Sequence, residues 1–187
     1  MNIDHILDKI QLLSTASKLE LKKNITEKSY TKNHIIIRAG KVEKSIYFIK
    51  KGIARTFANI GDDEITFSFG KEGDTIASLK SYTGNQRGYE NIELLEDSEL
   101  YEINSECLHR LFNENIELSN WGRKFAENEL LKAEERHISR QFGTATERYT
   151  TLLKNYPDLI QRAPLGHIAS YLGITQVSLS RIRTNIK

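Results

Sequence analysis

Between about residues 34 and 103 the chain alternates short apolar stretches with turn signals at Ala39-Gly40, Lys51-Gly52, Gly61-Asp62-Asp63, Gly70, Gly73-Asp74 and Gly84-Asn85. The interval is about one strand plus one turn. Ile46 and Phe48 alternate with Tyr47 and Ile49, and Ile65, Phe67 and Phe69 alternate with Thr66 and Ser68. That is the two-residue period of half-buried strands. Several such strands in succession predict an antiparallel sandwich or jelly roll. Ahead of them Ile3, Ile6, Leu7, Ile10, Leu13, Leu19 and Leu21 recur at helical spacing, which predicts helix over 3–25 capping the roll.

The period then changes. Residues 105–142 hold no proline and one glycine, Gly122, and Trp121, Phe125, Asn128, Leu131, Glu135, Ile138 and Phe142 advance in steps of four and three. Such a stripe suits a long helix lying on its own roll or a coiled-coil-like seam between two copies, and the seam is the reading adopted. Asn128 would fix its register, and Glu135 would be costly there unless paired. Gly143 ends this helix. Thr144-Ala145-Thr146-Glu147 has the form of a capping box, so a new helix carries Tyr149, Leu152 and Leu153 inward, with the hinge at 142–144. Pro157 and Pro164 fall between predicted helices.

The most informative stretch is Leu165 to Ile186, LGHIASYLGITQVSLSRIRTNI. Ile168 and Leu172 share a face of a first helix, and Ala169 is small enough for a second helix to cross closely. Gly173 supplies the positive φ that reverses the chain. Ile174 plugs the turn, Thr175 caps the next helix, and Leu179 and Ile182 return to the shared core. This is helix-turn-helix spacing. Gln176, Val177, Ser180, Arg181 and Thr184 are left projecting from the second helix. Arg181 suits guanine O6 and N7, Gln176 an adenine edge and Val177 a thymine methyl, while Thr175, Ser178, Arg183 and Lys187 suit phosphate.

Charge sharpens this picture. The net +2 of the 187 residues divides into −3 over residues 1–120 and +5 over residues 121–187. A basic C-terminal third fits a polyanion-facing end. With 39% hydrophobic and 28% charged residues the chain has a core but no run near the roughly 20 apolar residues of a membrane span. No basic-then-apolar block opens it, so no membrane partner and a cytoplasmic location are expected. A lone Cys107 excludes an internal disulfide, and the scattered His5, His34, His109, His137 and His167 offer no metal cluster. The carboxylates from Glu90 to Glu106 read as a solvated strand face, so no catalytic residue, metal or cofactor is assigned and no enzyme activity is expected.

These features together resemble the Crp/Fnr family of bacterial transcription regulators, the catabolite activator protein and its relatives. The resemblance runs through KKGIARTF, LLEDSELYEI, TATERYTTLL and IASYLGITQVSLSRIR. It implies an α+β chain in three parts. Residues 1–110 form an effector jelly roll of the cyclic-nucleotide-binding type, residues 111–142 a long dimerisation helix, and residues 143–187 a helix-turn-helix DNA-binding domain lacking a full wing. It also implies double-stranded DNA and a second copy of the chain as partners, RNA polymerase as a further one, and a small-molecule effector of unidentified nature. Val177 stands where the best-known members have glutamate, so their target sequence does not carry over.

The effector cassette departs further from the family. Ile76-Ala77-Ser78-Leu79 stands on the Phe-Gly-Glu-Leu run, and Gly88 and Tyr89 stand on the Arg-Ser pair with Arg87 displaced by one residue. Both charged anchors are missing, and Ala133 and Glu134 take the adenine-contacting positions. The effector pocket is therefore read as Ser78, Leu79, Arg87, Gly88 and Tyr89, binding a cyclic phosphate poorly. The dimer seam is read as Trp121, Phe125, Asn128, Leu131 and Ile138. The alternative is a ligand-sensing or protein-interaction module whose helix-turn-helix no longer binds DNA.

Overall fold

The computed structural model describes residues 1–185, so the Lys187 phosphate contact lies outside the described residues. Two short helices, α1 (Ile3–Ile10) and α2 (Thr15–Lys22), begin where Asn2 and Ser14 accept amide hydrogens of the first turn, from His5 and Ser17. Eight strands follow: β1 (Ile25–Tyr30), β2 (Ile35–Ile37), β3 (Ser45–Lys51), β4 (Ala54–Ile60), β5 (Asp63–Gly70), β6 (Thr75–Ile76), β7 (Asn91–Leu94) and β8 (Ser98–Asn104). A helix, α3 (Leu79–Gly84), interrupts them between β6 and β7. They form two antiparallel four-stranded sheets, ordered β1-β8-β3-β6 and β2-β7-β4-β5, which face each other across Ile37, Ile49, Ile92, Leu94 and Leu100. The expected jelly roll is therefore present.

One strand reading needs correction, and one strand carries no signal in the sequence. Residues 46–49 of β3 are not half-buried in alternation; all four are buried. Tyr47 and Ile49 face the roll interior, and Ile46 and Phe48 meet a second core built by the flanking helices, so the strand is covered on both sides. β1 carries no apolar alternation because it is an edge strand paired only with β8, and most of it faces solvent. At the β3–β4 turn, Gly52 has φ of +120° and a Cβ there would fall 2.1 Å from Ser98 Oγ. Only glycine fits that approach.

The stretch 105–142 is two helices, α4 (Ser105–Glu114) and α5 (Ile116–Phe142). Asn115 divides them: its N–H closes α4 on the Leu111 carbonyl, and its side chain accepts from Glu117 and Leu118 to open α5. The aromatic ring of Phe112 lies against Gly122, where a Cβ would approach it to 2.6 Å, so glycine lets α4 and α5 cross closely.

Trp121 does not belong to an intermolecular seam. It is 1% exposed, donates from Nε1 to the Leu7 carbonyl at 2.9 Å and packs edge-on against Phe48. Phe125 stacks on Trp121, and Asn128 faces α1 and β6 across a shared recess, so this half of the stripe serves the chain's own core. The core built by the flanking helices takes in Leu118 and Trp121 of α5. Farther along the stripe Leu131, Ile138 and Phe142 are exposed, with Leu130 beside them in sequence.

Candidate nucleic-acid interface

Beyond Gly143 come α6 (Ala145–Asn155), α7 (Leu159–Arg162), α8 (Leu165–Leu172) and α9 (Gln176–Asn185). The capping box is complete: Thr144 accepts from the Glu147 amide, and Glu147 accepts from the Thr144 amide at 2.7 Å. Tyr149 and Leu152 of α6 are buried with Leu159, Ile168, Ala169, Leu172 and Leu179 in a core that also takes in Ile53, Phe69 and Leu95 of the roll. Gly173 adopts φ of +67° at the α8 C-terminus. Thr175 Oγ1 accepts from the Ser178 amide at 3.2 Å and so caps α9. Arg148 clamps the turn by donating from Nε and Nη2 to the Leu172 carbonyl, the last of α8, and from Nη1 to that of Gly143. A cation at a helix C-terminus is favourable there.

Once Leu179 and Ile182 turn inward, Gln176, Val177, Ser180, Arg181 and Thr184 lie exposed along α9. Among the described residues Arg181 forms no ion pair, so its guanidinium is available to a ligand. The Gln176 amide reaches over Gly166, where a Cβ would meet its Nε2 at 2.5 Å. Thr175 and Ser178 are bonded to each other through their hydroxyls, and Arg183 is half-buried. Arginine and amide on one solvent-facing helical surface form a donor and acceptor array of the kind that reads base edges.

This domain is docked on the roll of its own chain, which the sequence reading did not foresee. Ser170 of α8 accepts from the Thr66 amide of β5 at 2.9 Å and donates to the Glu64 carbonyl at 3.0 Å. At the centre is Arg55, 2% exposed, which donates from Nε to Thr66 Oγ1 and from Nη1 to Glu93 Oε1 at 2.9 Å, and pairs with Glu64. Arg55 Nη1 also lies 3.1 Å from His167 Nε2, and since a guanidinium only donates, a hydrogen bond there has Nε2 as the acceptor of a neutral ring. Burial first, and the Arg55 charge second, hold the His167 pKa below its ordinary value, consistent with that neutral ring. At the other edge Arg162 bridges Glu72 at 2.6 Å and Glu96 at 2.5 Å. Burial works against ionising Glu72, but the Arg162 guanidinium and the Gly52 amide prevail and bring its pKa down to about 2.

The carboxylates from Glu90 to Glu106 are thus a solvated face only in part, at Asp97 and Glu106. Glu93 holds Arg55, Glu96 holds Arg162, Glu99 holds Lys50, Glu102 holds Lys28, and Glu90 is 5% exposed. The sequence showed a run of carboxylates but could not show the cations brought opposite them by the fold.

The residues read as an effector pocket separate in space. Ser78 and Gly88 are buried and adjacent, whereas Leu79, Arg87 and Tyr89 face solvent. A Cβ on Gly88 would lie 2.5 Å from Ser78 Oγ and 2.9 Å from Glu90 Oε1. Both oxygens are buried without a hydrogen-bond partner. Glu90, not singled out from the sequence, therefore puts a carboxylate where a cyclic phosphate needs a cation. The two residues do not fit that group.

Among the described residues, no helix is long and apolar enough to cross a membrane, and no group of three or more His, Cys, Asp or Glu is gathered to hold a metal.

Residues 27–115 match the cyclic nucleotide-binding domain family. No curated protein matches the chain. Among solved structures, it is similar to FixK2 from Bradyrhizobium japonicum, at 19% identity over 87% of this chain and 84% of that one, with a TM-score of 0.76. It is also similar to a regulator from Eubacterium rectale assigned to the Crp/Fnr family, at 17% identity over 91% and 82% of the two chains and a TM-score of 0.71. The Thermus thermophilus catabolite activator protein aligns over 97% of this chain and 86% of that one, at 17% identity and a TM-score of 0.60.

Proposed function

Because the chain is of the Crp/Fnr type in fold, with a match to the cyclic nucleotide-binding domain over residues 27–115, we propose that it is a dimeric, sequence-selective DNA-binding transcription regulator whose effector, if it has one, is not cyclic AMP. The observation that carries this is the solvent-facing row on α9, with Gln176, Val177, Ser180 and Arg181 presented by a capped and clamped helix-turn-helix. Two such helices one DNA turn apart read two half-sites in successive major grooves. The test is a mobility shift with genomic fragments. Salt-sensitive, sequence-selective retention supports the reading, and absence of retention at low salt supports the interaction module instead.

The dimer rests on the distal part of α5. Leu131 at 54%, Ile138 at 50% and Phe142 at 76% exposed form a one-sided apolar ridge, and burying each such side chain contributes about 1.5–3 kcal/mol. The chain is expected to sediment as a dimer at micromolar concentration, and Leu131→Asp with Ile138→Asp to give a folded monomer. A wild-type monomer in that measurement removes the seam.

Cyclic AMP is expected to change neither melting temperature nor DNA affinity, since Glu90 and Ser78 offer its phosphate no cation. A saturable rise in melting temperature, following the mass-action dependence on nucleotide, would contradict this.

A further inference from the structure

Where the roll, α5 and the helical domain meet, a cleft of about 370 Å³ opens, within the size range of small-ligand sites. It is lined by six cations, Lys9, Lys71, Lys132, Arg136, Arg140 and Arg148, against two carboxylates, Asp74 and Glu135. Lys132 pairs with Glu129 at 2.7 Å, and the other cations are held in place by uncharged partners or by none. Lys71 donates to the Asn155 carbonyl at 2.5 Å, Arg140 to the carbonyls of Thr66 and Tyr171, and Arg148 to those of Leu172 and Gly143. Carbonyls fix these groups without cancelling their charge, and Arg136 and Lys9 form no ion pair among the described residues. Burial raises the pKa of the Tyr156 and Tyr171 phenols on the wall; Asp74 adds to the rise at Tyr156, and the nearby Arg136 charge works against it at both.

We propose that this cleft binds a small oligophosphate-bearing molecule, which would join the helical domain to the roll. Guanidinium groups match phosphate oxygens in geometry as well as charge, and concave low-dielectric walls concentrate the positive field. The site contains no residue of α9 and is a recess, so its ligand is a small anion and not the DNA backbone. It stands whether or not α9 reads DNA.

The experiment is calorimetric titration of the full chain with tripolyphosphate and with ATP, in wild type, Arg136→Glu and Lys154→Glu. Arg136 has no ion pair to lose, so the variant should fold, which its melting temperature checks. Lys154 is exposed on α6 outside the cleft and makes the same charge change. Saturable binding is expected, weakened about tenfold or more by Arg136→Glu and much less by Lys154→Glu. Tighter binding of ATP than of tripolyphosphate would identify a nucleotide, and equal binding an inorganic oligophosphate. Absence of saturable binding by either probe, or equal affinity in the two charge variants, overturns the proposal, as does a loss confined to DNA affinity.

Discussion

Arg181→Ala is expected to abolish sequence-selective DNA retention while leaving the fold intact. The side chain is exposed on α9 and forms no ion pair among the described residues, so its removal costs the folded chain little. In a complex, a bidentate arginine–guanine contact is worth about 1–3 kcal/mol of discrimination, and a dimer makes it twice. The loss is thus roughly 2–6 kcal/mol, or about thirty-fold to twenty-thousand-fold in affinity for the preferred site. Non-specific binding should persist, because phosphate contacts from the rest of the domain remain. The measurement is a mobility shift at fixed salt with selected and scrambled duplexes, beside a melting curve. Equal affinity of wild type and variant for the selected duplex would remove α9 as the reading element.

The second large effect is expected at Arg55. Arg55→Ala deletes a guanidinium 2% exposed and leaves Glu93, itself 17% exposed, without its cation and Thr66 Oγ1 without its donor. Breaking a buried pair from one side costs about 3–5 kcal/mol. For a chain of this size that corresponds to a fall of about 6–20 °C in melting temperature. The same residue ties β4 and β5 to His167 of α8, so the helical domain should also loosen from the roll. Limited proteolysis should then cut near Gly143. The double variant Arg55→Met with Glu93→Met separates charge from packing: removing both partners should recover much of the loss. A change under about 1 kcal/mol in Arg55→Ala would show that the pair contributes little to docking.

The helix-turn-helix was legible because its signals are local. Ala169, Gly173, Thr175 and Leu179 lie within eleven residues, and each acts on its immediate neighbours through a close crossing, a positive φ, a cap or a buried contact. The capping box at Thr144 and Glu147 was legible for the same reason. The roll was readable from its glycine turns, but the polar edge strand β1 was not, since an edge strand needs no apolar face. The seam was half legible. A periodic stripe shows that α5 buries one side but not which partner covers each turn, so Trp121, claimed by Leu7 and Phe48, could not be told from Ile138, left outside.

By itself the sequence determined the order of the parts, the helix ends at Gly143, Thr144, Gly173 and Thr175 and the residues that α9 turns outward, all consequences of backbone preference and spacing over a few residues. Tertiary structure alone decided that Arg55 meets a histidine 112 positions away, that Glu90 is buried beside Ser78, and that six cations from four separate segments line one cleft. Those juxtapositions depend on how sheets and helices are laid against one another, and no periodicity along the chain encodes the distance between residues that only folding brings together.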